Sequence, residues 1–183
     1  MRIVVAGIVG VLLPFLVAAG GDAPPAAAAA PAGTPEAPFE WIKSLVGDWE
    51  GTLEWSGART GKGDLRALYR LTGNGSAVVE DLIMGEVPSM TSVYHLDGAD
   101  LRMTHYCAAG NQPRLKATGI DPKEHALHFD LVDVTNLKSP TAGHVTRVDL
   151  KVVDPNHLNL TFTFEGSGRE AYEAIQVTRR PAH

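Results

Sequence analysis

From residue 47 onward, hydrophobic and polar side chains alternate in short runs that are broken by turn residues about every ten positions. Leu127, Phe129 and Leu131 share one face of such a run, as do Val148, Leu150 and Val152. Leu158, Leu160, Phe162 and Phe164 form a third set, with Asn159, Thr161, Thr163 and Glu165 opposite. A period of two is the mark of a strand with one buried and one wet face. Ser56-Gly57, Gly73-Asn74-Gly75, Asp97-Gly98, Gly110-Asn111, Asp154-Pro155-Asn156 and Gly166-Ser167-Gly168 punctuate the runs, since Gly, Asn, Asp and Pro supply the angles of tight reversals. The pattern predicts ten strands, over 47–55, 63–72, 76–85, 90–96, 100–107, 112–120, 125–133, 144–153, 157–165 and 169–179. Before them, Trp41, Ile42, Leu45 and Val46 recur at helical spacing after Pro38 and stop at Gly47, which predicts a short amphipathic helix. Short connections between one-sided strands favour an antiparallel meander, and little helix is present to cover a second face. The expected fold is all-β: an antiparallel up-and-down barrel of about ten strands with a short N-terminal helix. A two-sheet sandwich competes, but hairpin spacing is uniform and no connection is long enough for the crossover of a Greek key.

The N-terminal region reads differently. Only Met1 and Arg2 precede the apolar run from Ile3 to Ala19, and Ala18, Ala19 and Gly20 follow where a signal peptidase would cut. Residues 1–21 are read as a secretory signal peptide. An uncleaved anchor is the alternative, weakened by Gly7, Gly10 and Pro14 in a run of near-minimal length. No cysteine lies nearby to carry a lipid. Residues 22–38 are rich in Ala and Pro with almost no large apolar side chains, so they read as a disordered linker. The folded domain is then 39–180, in a protein expected to be exported to the periplasm or secreted. Lys and Arg number 16 against 21 Asp and Glu, a net charge of −5, and the basic residues are scattered singly. That argues against nucleic acid as a partner and, once the signal is cleaved, no membrane span remains. Cys107, the single cysteine, has no intramolecular partner for a disulfide.

Candidate chemistry gathers at Thr104 to Arg114. Leu101, Met103, His105 and Cys107 fall on one strand face, so His105 points inward among apolar neighbours, a polar feature of a pocket wall. Glu80 is its best partner, on a face with Val78, Leu82 and Met84, where a buried carboxylate would need one. The other face of that strand, with Val79, Asp81 and Ile83, is equally apolar, and periodicity alone leaves open which acid is inside. Asn111 and Arg114 offer an amide and a guanidinium beside the same loop, Arg114 as a clamp for a carboxylate or as a solvated loop residue. Tyr94 and Tyr69 are core or cavity wall. His105 with Cys107 offers two metal donors, short of a site, and a Cys-His nucleophile would lack an orienting group and an oxyanion hole.

Leu45-Val46-Gly47-Asp48-Trp49-Glu50-Gly51 carries the Gly-x-Trp start of the calycin superfamily. Together with Gly73 to Glu80, Met90 to Asp97 and Thr104 to Arg114 it resembles a large bacterial group of calycin-like (lipocalin- and nitrobindin-like) barrels, mostly uncharacterised, over residues 39–180. The resemblance implies a cavity-bearing barrel, and a basic residue of the last strand, Arg179 or Arg180, stacked on Trp49. Nitrobindin-like members bind haem through a histidine; none of the seven histidines here aligns to that ligand, and the cofactor stays unknown. The expected function is binding of a small, mainly apolar or amphipathic molecule in an internal cavity lined by Tyr94, Met103, His105, Phe129 and Phe162. Two alternatives stand: an isomerase or hydrolase using His105 as general acid/base, and a haem or metal protein.

Overall fold

The computed structural model describes residues 36–181, so the expected signal segment and most of the expected linker lie outside the described residues. One helix, α1 (Glu36–Ser44), leads into ten strands: β1 (Gly47–Gly57), β2 (Gly61–Thr72), β3 (Ala77–Ile83), β4 (Pro88–Asp97), β5 (Asp100–Tyr106), β6 (Gln112–Asp121), β7 (Ala126–Thr135), β8 (His144–Asp154), β9 (His157–Gly166) and β10 (Arg169–Arg179). Each strand pairs antiparallel with its successor, and β1 pairs with β10 as well as with β2, closing the sheet into an up-and-down barrel. The sandwich is excluded, and no strand is left with an open edge.

The alternating faces turn inward as expected: Leu127, Phe129, Val148, Leu150, Leu158, Leu160 and Phe162 are all buried. A bulge between Val145 and Arg147 resets β8 so that Val145 is buried as well, an adjustment a strict period of two does not foresee. The helix departs from the sequence reading in two respects. It starts at Glu36, so residues 36–38 belong to α1 rather than to the linker. Pro38 is tolerated there because the first turn has no use for its missing N–H. Its buried side chains are Ala37, Pro38, Phe39 and Ile42, while Trp41 is half-buried; Leu45, buried, and Val46, exposed, lie beyond the helix.

The two ends of the barrel differ. At one end α1 covers the opening, and a plug locks it in place. Trp49 is fully buried, and its indole N–H donates to the Leu45 carbonyl at 2.8 Å. The Arg179 guanidinium lies 4.2 Å from the Trp49 ring centroid. Its nitrogens donate to the carbonyls of Ser44 (2.8 Å), Val46 (2.8 Å) and Pro155 (2.9 Å). One side chain thus satisfies the carbonyls that α1 leaves unpaired at its C-terminus. Gly47 makes room for it: the backbone there has φ +138°, and a Cβ would stand 2.7 Å from the guanidinium. Arg180 takes the neighbouring position instead, pairing with Asp48 at 3.1 Å and Glu50 at 3.2 Å. At the other end the strands are joined by residues 58–60, 84–87, 107–111, 136–143 and 167–168.

Arg179→Ala should lower the unfolding free energy by about 2 kcal/mol, since it removes a cation-over-ring contact and three charge-assisted hydrogen bonds. Urea titration would measure the loss. Arg179→Lys should recover less than half, because an ammonium cannot hold the same fork of carbonyls.

Candidate functional site

A row of polar side chains crosses the inside of the barrel from β2 to β5. In the ladders Tyr69 stands opposite Glu80, Glu80 opposite Ser92, and Ser92 opposite His105, so all four point to the interior on adjacent strands. All are buried. Tyr69 donates its hydroxyl to Glu80 Oε1 at 2.5 Å and Tyr94 donates to Glu80 Oε2 at 3.0 Å. Ser92 Oγ lies 3.1 Å from His105 Nδ1. Burial raises the Glu80 pKa, and hydrogen bonds from Tyr69, Ser92 and Tyr94 pull it back part of the way. Burial, then the nearby Glu80 charge, holds both tyrosines well above their ordinary value. The ambiguity on β3 is thereby resolved. Glu80 is the interior acid, and Asp81, on the other face, accepts from Thr91 at 2.6 Å and pairs with Arg70 at 3.2 Å.

Toward the loop-bearing end the polar groups lose their partners. Among the described residues, six buried side-chain polar atoms have none, and four of them are His105 Nε2, Asn111 Oδ1 and both carboxyl oxygens of Glu173. Glu173 stands opposite Trp55 on β1 and opposite Phe162 on β9. The Phe162 ring packs 5.1 Å from the His105 ring. Burial drives His105 down to about 4 and Glu173 up to about 7, the latter opposed by the Arg59 charge. Burial also pushes the Cys107 thiol up, with a smaller push from Glu173. At neutral pH His105 is therefore an uncharged, weak base, and the near-neutral proton of this interior belongs to Glu173. Asn111 anchors the 107–111 loop by donating to the Gly143 carbonyl at 2.9 Å. Trp55, Cys107 and Ala171 each keep 8% of their surface, whereas Trp49, Tyr94 and Phe129 keep 0%. At the loop-bearing end only this rim reaches solvent, and the His105, Phe162 and Glu173 side chains just inside it have no accessible surface. Over this mouth the Arg59 guanidinium rests 4.0 Å from the Trp55 ring centroid.

The structure brings Glu80 and Tyr94 together with Tyr69, and sets His105 against Ser92 rather than against Glu80, its expected partner, while Cys107 and Asn111 are buried in the loop that follows β5. Met103 is buried in the same core. Arg114 does not join them. It is exposed on the outer face, where it holds Asp133 through two nitrogens at 2.5 and 2.6 Å, so its clamp is spent on the protein's own carboxylate. The expected cavity also differs from what is found. Tyr94, Met103, His105, Phe129 and Phe162 have no accessible surface, so no water-sized space adjoins them. A cleft of about 640 Å³ lies outside the barrel beside α1, against Trp41, Leu45, His125, Val152, Pro155 and Arg179. Also among the described residues, no three His, Cys, Asp or Glu side chains come together as metal donors, leaving His105 and Cys107 without a third ligand.

Glu173 was missed in the sequence, although Ala171, Glu173, Ile175 and Val177 place it in an apolar stripe. Ser92 was hidden the same way, between Met90 and Tyr94. A polar residue in an alternating apolar series is the signal for both.

No protein family's sequence profile matches the chain, and no curated protein matches it. Solved structures do match. Rv2717c from M. tuberculosis superposes with a TM-score of 0.53 at 16% identity, covering 79% of this chain and 98% of its own. At this identity the likeness establishes the fold alone, a closed ten-stranded barrel. Lower similarity, with a TM-score of 0.44 in both cases, is found to a DUF3598 protein of unknown function from Nostoc punctiforme (10% identity, 76% of this chain and 49% of the other) and to the S-type phycobiliprotein lyase CPES from Guillardia theta (8% identity, 79% and 93%).

The pKa of Glu173 has a consequence for stability. The folded protein keeps a proton to about pH 7 that the unfolded chain releases near 4.5, so this group makes stability fall as pH rises between those values. His105 acts with the opposite sign between about 4 and 6.5, which makes the difference between variant and parent the informative quantity. Glu173→Gln should gain about 2 kcal/mol on the parent between about pH 5 and pH 8 in paired denaturant titrations. A constant difference would place the carboxyl in water.

Proposed function

We propose that this is an exported barrel that takes a small, mainly apolar molecule into the loop-bearing half of its interior, with His105 meeting the polar end of that molecule. One observation carries the reading: buried polar atoms without partners concentrate at that end. Native interiors leave few such atoms, and a cluster of them points to an absent partner. Ser92 fixes Nδ1 of His105, which leaves Nε2 as the free nitrogen, and the tyrosine-held Glu80 keeps this row rigid. The walls above are apolar: Trp55, Met90 and Phe162. Space for the molecule opens when Arg59 leaves the Trp55 ring and Met90 and Met103 change rotamer, which unbranched thioether side chains do readily. The leader-like residues 1–21 support export.

A haem does not fit. A histidine held at Nδ1 and free at Nε2 is the arrangement of an axial ligand, but the imidazole has no accessible surface and Phe162 stands 5.1 Å from it. No slot for a flat macrocycle exists there.

Native mass spectrometry of the protein purified from its own source tests the proposal. A co-purifying small molecule is expected on a chain lacking residues 1–21. Ala171→Trp, which fills the mouth, should abolish the adduct while thermal melting stays cooperative. A bare parent protein that also fails to bind a neutral apolar dye saturably would overturn the reading.

A further inference from the structure

Hydrogen bonding by His105 does not account for Glu173. Its carboxyl is fully buried, both oxygens lack partners, and it makes no ion pair among the described residues. The other interior acid is different: each oxygen of Glu80 is occupied by a tyrosine hydroxyl. Two free carboxyl oxygens enclosed by apolar walls are a costly arrangement that an incoming cation would relieve. The walls suit the same visitor. Trp55 and Phe162 flank Glu173 across the two ladders, and Phe164 packs 4.9 Å from Trp55, giving aromatic faces to which a cation is attracted. One cation already uses them: Arg59 lies on the Trp55 ring, one step outside Glu173.

We infer that the molecule taken up is a small organic cation, an alkylamine or methylated alkylammonium, whose charged head, the polar end beside His105, pairs with Glu173 between Trp55 and Phe162 while its alkyl part fills the apolar interior. This rests on the binding role proposed above. Arg59 is then the placeholder that the head group displaces from Trp55.

Calorimetric titration of the full chain with hexyltrimethylammonium, hexanol and hexanoate tests the inference. The cation should bind at least about tenfold more tightly than hexanol, with hexanoate weakest. Glu173→Gln should erase the cation's advantage and leave hexanol within about twofold of the parent. Should that variant fold poorly, the parent's pH profile serves instead. Cation affinity should rise from about pH 5.5 to 8.5 as Glu173 ionises, with hexanol affinity flat. The ligand's charge is permanent. Of the groups facing Glu173, His105 on β5 stays neutral, Cys107 beyond β5 stays a thiol, the Arg59 guanidinium beyond β1 rests on the Trp55 ring, Glu80 on β3 is held by its tyrosines, and β9 presents Phe162. Equal binding of cation and hexanol, or a flat cation profile, would overturn the inference and leave the binding role intact. Binding of neither would overturn both.

Discussion

The pairing of β1 with β10 is the constraint on which the rest of the molecule depends. Once the last strand closes on the first, every second residue of ten strands must point into one shared interior. The contact is tight: a Cβ on Gly51 would stand 2.0 Å from the Gln176 carbonyl oxygen, so only glycine permits the approach of the two backbones. An apolar side chain gains from this enclosure. A carboxyl or imidazole in the same register is carried inside with it and must find a partner or shift its pKa.

The interior divides by how those polar groups are met. Toward α1, the helix covers a base in which the Trp49 indole and all three Arg179 guanidinium nitrogens are hydrogen-bonded. At mid-barrel Glu80 is satisfied by Tyr69 and Tyr94. Beyond it, His105 Nε2 and both carboxyl oxygens of Glu173 are enclosed without partners. The stable end and the incomplete end belong to one closed sheet, and Trp55, Arg59 and Cys107 lie at the loop-bearing rim.

Most of this architecture was legible in the sequence because it follows from local rules. Alternation and turn residues located all ten strands, with no boundary displaced by more than two residues. The plug was expected only through the resemblance carried by Gly47-Asp48-Trp49, and choosing Arg179 over Arg180 required the geometry around the α1 carbonyls. The site was less legible. Both faces of β3 are apolar, so only the closed sheet could separate Glu80 from Asp81. Arg114 lies between Pro113 and Leu115, both of which face inward, and alternation would have placed it outside had it been weighed there. The expected cavity failed for another reason: free volume depends on how Tyr94, Phe129 and Phe162 interlock, which no pattern along the chain encodes.

The central claim, that closure enclosed two ionisable groups whose Nε2 and carboxyl oxygens lack partners, is tested most directly by following the side-chain resonances of His105 and Glu173 by NMR across pH. The account expects Glu173 to titrate near 7 and His105 near 4. Ordinary values for both, near 4.5 and 6.5, would show that the two groups face water and would contradict it.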